Sequence, residues 1–199
     1  MNSRTYLAAL VLAPMLGAQN GPNQPQPPVQ SDLLDQLVGL WAITGTTRGQ
    51  PVHEGADAEW VLGHQFLRIH RQQIDGPSES VVHVGFDTVL QRFVAFRLDT
   101  NGAHGAEYPG YGLQKGDNKL EFSIQYPSGP WRETWTWDAK EKTWQFLVEI
   151  ERKDPKGSTW STFSSLTLRS VRRGRVGPGR GFGPQPPHPQ TPPQAPPVP

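Results

Sequence analysis

In this 199-residue chain, the run Trp131-Arg132-Glu133-Thr134-Trp135-Thr136-Trp137 has the residue types and spacing best suited to chemistry. Side chains alternate along an extended strand, so Trp131, Glu133, Trp135 and Trp137 share one face. Three indoles turned to water would leave a large apolar area hydrated, so that face is expected to point inward. Glu133 then sits among aromatic walls, where it must pair with an inward cation or hold a raised pKa. The same counting supplies partners. Phe66, Arg68, His70 and Gln72 fall on one face of their strand, and Val81, His83 and Gly85 on one face of theirs. If Phe66 points in, Arg68 and His70 point in too. A cavity walled by Trp131, Trp135 and Trp137, on which Glu133, Arg68, His70 and His83 converge, would bind a small apolar or amphipathic molecule with a polar head. The competing readings are a structural ion pair inside a filled barrel, an outward placement of some of these residues, and a general acid–base pair of Glu133 and His83 in a small-molecule isomerase or hydrolase.

Other chemistry has less to build on. The six His are scattered, without H-x-H or H-x-x-E-H spacing, and Cys is absent, so no metal site is expected. Ser128 and the group Ser161, Ser164 and Ser165 lack a nucleophile elbow, so no catalytic residue is assigned.

Positioning Glu133 requires a sheet, and the sheet signal begins at Leu37-Val38-Gly39-Leu40-Trp41. Ser31 is a good N-cap, Asp32 suits a first helical turn, and Leu33, Leu34 and Leu37 share a short amphipathic face. Gly39 is placed as the left-handed exit of that helix. Beyond it the period falls from about 3.6 to 2, with Trp41, Ile43 and Gly45 on one face. A helix laying leucines across one end of a barrel would plug that end.

From Leu40 onward, short alternating runs are cut by Asp75-Gly76-Pro77, Asp99-Thr100-Asn101-Gly102, Lys115-Gly116-Asp117-Asn118, Pro127-Ser128-Gly129-Pro130 and Asp154-Pro155-Lys156-Gly157. Strands are expected near 40–47, 52–61, 64–73, 79–87, 91–99, 104–114, 118–126, 131–138, 143–152 and 157–169, or eight if two pairs are longer bent strands. No later segment keeps a helical period. The fold class is therefore all-β, an up-and-down antiparallel barrel of 8 to 10 strands with an N-terminal plug helix. Such a barrel is filled by side chains or holds one small ligand.

Gly39-Leu40-Trp41 resembles the G-x-W signature of lipocalins and their calycin relatives. With Glu59-Trp60-Val61-Leu62-Gly63-x-x-Phe66-Leu67 and Gly85-Phe86-Asp87 leading into Arg92-Phe93-Val94, residues 31 to 170 resemble the bacterial family known as domain of unknown function 1579. That resemblance implies a secreted, lipocalin-like barrel and no settled activity. The lipocalin likeness further implies a structural latch at the barrel end, with Arg169 stacked over Trp41 beside Gly39. Some similar ten-stranded barrels hold haem through a late-strand histidine. Here the last two strands carry no His, so neither haem nor another cofactor is expected.

The termini give the address. Arg4, an apolar run from Tyr6 to Leu16 and the exit Leu16-Gly17-Ala18 make residues 1–18 a secretory signal, too short to span a bilayer. A secreted or periplasmic protein follows, with no transmembrane span after cleavage. The missing cysteine excludes a lipoprotein and any disulfide. Residues 19–30 form a flexible leader, 31–170 the barrel, and 171–199 a disordered Arg/Gly- and Pro-rich tail. All 18 acidic residues lie between 31 and 170 with 14 of the 19 basic ones, so the body carries −4 and four later arginines make the tail basic. The tail suggests a second reading, an envelope interaction module with a filled barrel whose tail touches an anionic surface. Nucleic acid is not an expected partner, since a secreted chain rarely meets RNA.

Overall fold

The computed structural model describes residues 26–102, 108–154 and 157–171. Alternating apolar residues and closely spaced turns leave the chain one way to satisfy its backbone, each strand pairing with the next. The strands are β1 (Gly39–Thr47), β2 (Gln50–Val61), β3 (Phe66–Gln73), β4 (Glu79–Asp87), β5 (Arg92–Asp99), β6 (Gly110–Gln114), β7 (Lys119–Tyr126), β8 (Gly129–Asp138), β9 (Thr143–Asp154) and β10 (Gly157–Ser170). All neighbouring pairs are antiparallel. β1 also pairs with β10, from Trp41 opposite Ser170 to Thr47 opposite Ser164, which closes the barrel. Closure leaves no long unpaired edge to recruit another chain.

The seam is tight. At Gly45, φ is +148° and a β-carbon would run into the carbonyl of Ser165 on β10, so only glycine fits. Two boundaries differ from expectation. β8 starts at Gly129, because Tyr126 pairs with Gly129 and the turn shrinks to Pro127-Ser128. β6 starts at Gly110, and the remainder of the expected 104–114 strand falls largely on residues 103–107, outside those described.

One end is closed by α1 (Asp32–Asp35). Ser31 Oγ accepts the Leu34 N–H at 3.2 Å, the expected N-cap. The helix ends four residues before Gly39. Turn bonds from Leu37 N to Leu34 O and from Val38 N to Asp35 O carry the chain onward, and Gly39, at φ +135°, starts β1. Leu33, Leu34 and Leu37 are buried, each contributing about 2 kcal/mol by area. Three indoles bind the plug from below: Trp41 Nε1 donates to Leu37 O at 2.6 Å, Trp144 Nε1 to Gln36 O at 3.3 Å, and Trp60 Nε1 to Asp35 Oδ1 at 2.7 Å. The first two satisfy backbone carbonyls at the helix end and the turn after it, and the third holds the side-chain carboxylate of Asp35.

The expected latch is absent. Arg169 pairs with Ala42 and shares its outward face, whereas Trp41 pairs with Ser170 and faces the interior. Alternation thus separates Arg169 from Trp41 by the sheet itself. Trp41 instead meets Trp137 edge-on at 6.5 Å. Residues 26–30, expected in a flexible leader, are tied down: Val29 is buried and its N–H donates to His64 O at 2.9 Å, while Gln65 Nε2 donates to Gln26 O and Pro27 O. Residues 1–25 and 172–199, with the expected signal and nearly all of the tail, lie outside the described residues.

Candidate functional site

Going from the plug toward the open end, successive inward residues of β8 are Trp137, Trp135, Glu133 and Trp131. The interior of the closed half is filled by side chains; the open space at that end lies outside it, in clefts of about 590 and 570 Å³ beside the leader and the plug. Trp135 stacks on Phe146 at 4.6 Å and meets Phe122 at 5.0 Å, and Trp144 and Leu120 are fully buried beside them. Trp137 lies at the plug, against Trp41 and Trp144. Glu133 begins the next layer. It is 6% exposed, and its Oε1 accepts Trp135 Nε1 at 3.0 Å. The carboxylate has found an inward cation. Arg97 Nη2 lies 3.3 Å from Oε1 and 3.5 Å from Oε2.

Arg97 points inward because Phe93 and Ala95 precede it on the core face of β5, and among the described residues β6 pairs with β5 from Phe93 to Ala95. It therefore lies past the end of that pairing and reaches over to β8. A second ion pair shares this layer: Arg71 on β3 donates from Nε at 2.8 Å and Nη2 at 2.6 Å, both to Glu54 Oε2 on β2. These side chains are 12% and 17% exposed. Burial, and then the positive charge of Arg97, lowers the Arg71 pKa, while Glu54 acts against both. Burial also raises the Tyr126 hydroxyl above its usual value.

Above Trp135 a cavity of about 570 Å³ opens at the end opposite the plug, with Glu54, Arg71, Arg97, Glu133, Tyr126 and Trp131 on its walls and Arg48, Asp99 and Phe163 among its other lining residues. Phe163 enters through a bulge in β10 between Thr162 and Ser164. Its ring meets Trp131 at 4.6 Å, and Tyr126 meets Trp131 at 4.9 Å. Trp131 Nε1 is buried in this aromatic cluster with no hydrogen-bond partner. The other buried indoles all donate: Trp41 and Trp144 to the plug, Trp135 to Glu133. A buried donor without an acceptor costs about 1–3 kcal/mol, so Trp131 is an exception that calls for a partner.

Four expectations need correction. Arg68, His70 and His83 are on the outer face, away from the cavity. Arg68 pairs with Asp57 at 3.0 Å and Glu59 at 2.8 Å, and His70 lies between Asp57 at 3.0 Å and Glu79 at 2.6 Å. His83 stands beside them, opposite Arg68 and Phe96. The physical reason is that Leu67 and Ile69, and likewise Val82 and Val84, are the more apolar phase of their strands and take the interior. Phe66 stays outside because it covers Gly85 across the strand pair, where a β-carbon would collide with its ring. The fourth correction concerns the indole walls: Trp135 forms part of the packed half and Trp137 lies at the plug, so only Trp131 of the three lines the cavity. Sequence reasoning missed Arg71, Arg97, Glu54 and Tyr126. For Arg71 the signal was present, since the phase Leu67, Ile69, Arg71 and Gln73 buries two aliphatics and one charge.

Among the described residues no three His, Asp or Glu side chains gather closely enough to hold a metal ion, and no helix is long and apolar enough to cross a membrane. Fold and site together define a closed ten-stranded antiparallel β-barrel, packed at its plugged end and carrying a charged, aromatic-rimmed cavity at the other. No family model matches the chain, and no curated protein matches it. Among solved structures it is similar to a redesigned β-barrel, 16% identical, over 71% of this chain and 97% of that one, with a TM-score of 0.32. A likeness of that strength adds nothing to the strand register described above.

Proposed function

We propose that this protein is an exported lipocalin-like binding protein that takes one small amphipathic molecule into the open half of its barrel. The polar part of the ligand lies in the layer of Glu133, Arg97, Arg71 and Glu54, and its apolar part lies against Trp131, Phe163 and Tyr126. Export rests on the signal pattern of residues 1–18 and on the resemblance to the domain of unknown function 1579 family. The observation that carries the binding reading is the contrast between the two halves. The plugged half shows how this chain fills a barrel when only stability is at stake, with indoles, phenyl rings and leucines. The open half instead places two ion pairs around about 570 Å³ of open space. Buried ion pairs are often no more stabilising than an apolar filling of the same volume, and charge gathered in a cleft marks a functional site.

Trp131 reports occupancy, because it lies on the cavity wall. Intrinsic fluorescence is titrated with a panel of small amphiphiles, namely short-chain acids, aromatic acids, amides and alcohols. A saturable change, lost in Trp131→Phe, is expected for at least one chemical class. A flat response across the panel, together with an unchanged melting temperature, would refute the binding reading.

A further inference from the structure

The layer that would hold the ligand's polar part has more donors than acceptors. Arg97 spends one terminal nitrogen on Glu133, at 3.3 and 3.5 Å, long beside the roughly 2.7–2.9 Å of a well-made guanidinium–carboxylate bond. Arg71 spends Nε and Nη2 on a single oxygen of Glu54. No other bond from either guanidinium to a described residue is seen, and none of their nitrogens is a buried orphan, so their remaining N–H groups are open to whatever occupies the cavity. Trp131 Nε1, one layer nearer the mouth, is buried and finds no acceptor. Whatever fills this space must bring oxygens.

Charge narrows the choice. Arg71 on β3 and Arg97 on β5 are separated by one strand and face the same cavity, near enough for the Arg97 charge to act on Arg71. Their carboxylates lie to either side, Glu54 on β2 and Glu133 on β8. The lining as a whole is balanced, Arg48, Arg71 and Arg97 against Glu54, Asp99 and Glu133, but between Arg71 and Arg97 a carboxylate would meet N–H donors from both guanidiniums, with the acids standing to either side. Geometry sets the size. Trp135, Phe146 and Phe122 pack directly under Glu133, so no channel leads from the charged layer to the plug. Of the aromatic residues that line the cavity, Trp131, Phe163 and Tyr126 lie on its mouth side, while Phe146 is buried in the floor against Trp135. The head therefore goes in first and the body stays at the mouth.

We infer that the ligand is a compact organic acid, its carboxylate held between Arg71 and Arg97 and its short apolar body against Trp131 and Phe163. This rests on the ligand-binding reading above and names the class of molecule for that same site. It excludes long-chain fatty acids as preferred ligands, because their tails have no room to extend inward.

Calorimetric titration of the full chain with 3-phenylpropionate, 3-phenylpropionamide, hexanoate and palmitate tests it. The acid is expected to bind about tenfold or more tightly than its amide, and palmitate no more tightly than hexanoate. Arg97→Gln should lower affinity for the acid by about tenfold and leave that for the amide within about threefold. The exposed control Arg169→Gln should change neither. Equal binding of acid and amide, or a clear preference for palmitate, would overturn the acid inference while the cavity remained a binding site. Absence of binding by all four probes would overturn the acid inference, while the binding reading would fall only with a flat response across the wider fluorescence panel. The comparison of acid with amide on the unaltered protein decides the matter even if Arg97→Gln does not fold.

Discussion

Glu133 holds two donors at once, the indole of Trp135 beneath it and the guanidinium of Arg97 across the cavity. Removing the carboxylate leaves both without an acceptor in a water-poor layer. Glu133→Ala is expected to cost about 2–4 kcal/mol of unfolding free energy. Glu133→Gln keeps an oxygen for Trp135 and should cost about half as much. Urea denaturation of the two variants checks this, and equal losses would mean that the Trp135 bond contributes nothing. Tyr126 makes a prediction in pH. Its hydroxyl pKa is raised by burial above the ordinary 10.0, so in alkali the folded state keeps a proton that the unfolded chain releases. The stabilisation is complete below pH 10 and is lost as pH rises through the folded-state value. Unfolding free energy should decline on that upper side, and Tyr126→Phe should make the decline shallower.

The plug helix is too short to stand alone, and its stability comes from what it covers. Leu34 and Leu37 are fully buried, and three indole nitrogens reach the helix and the turn after it. Leu34→Ala should cost about 2–5 kcal/mol through the cavity it leaves. The solid packing of Trp135, Trp144 and Phe146 separates plug from cavity, so the same variant should bind ligand with unchanged affinity while it remains folded. A fall in affinity that tracks the fall in stability would show that the two ends are coupled. Among the strands, β10 shows how one inserted residue changes a site: without the bulge at Thr162/Ser164, alternation would keep Phe163 out of the cavity.

For the whole molecule the closing seam is the vulnerable place. Gly45→Ala pushes a β-carbon into the Ser165 carbonyl at a φ that side chains rarely adopt, and a loss of more than about 2 kcal/mol is expected. Parting β1 from β10 would also expose two long edges, so aggregation on heating should accompany the lower melting temperature, as light scattering would register. A variant as stable as the parent would show that β1 can shift without opening the seam. With no cysteine in the chain, the melting temperature should be the same with and without reductant.

Period-two spacing and turn residues were enough to place the capped plug and an antiparallel barrel of 8 to 10 strands, because turns and pairing between chain neighbours are decided locally. The inward face of β8 was equally legible, since three indoles on one side leave little choice. The two-fold ambiguity of β3 and β4 was not. Each has an apolar residue in both phases, and a strand read singly cannot say that Phe66 is needed outside to cover Gly85. Closure settled it, by requiring inward residues of neighbouring strands to meet in common layers. Arg68, His70 and His83 went out, and Arg71 came in beside Arg97. Composition and alternation thus determined that there would be a barrel with a carboxylate in it. Which cations meet that carboxylate, and where the packing stops to leave space, only the closed sheet could decide, because those contacts join strands far apart in the chain.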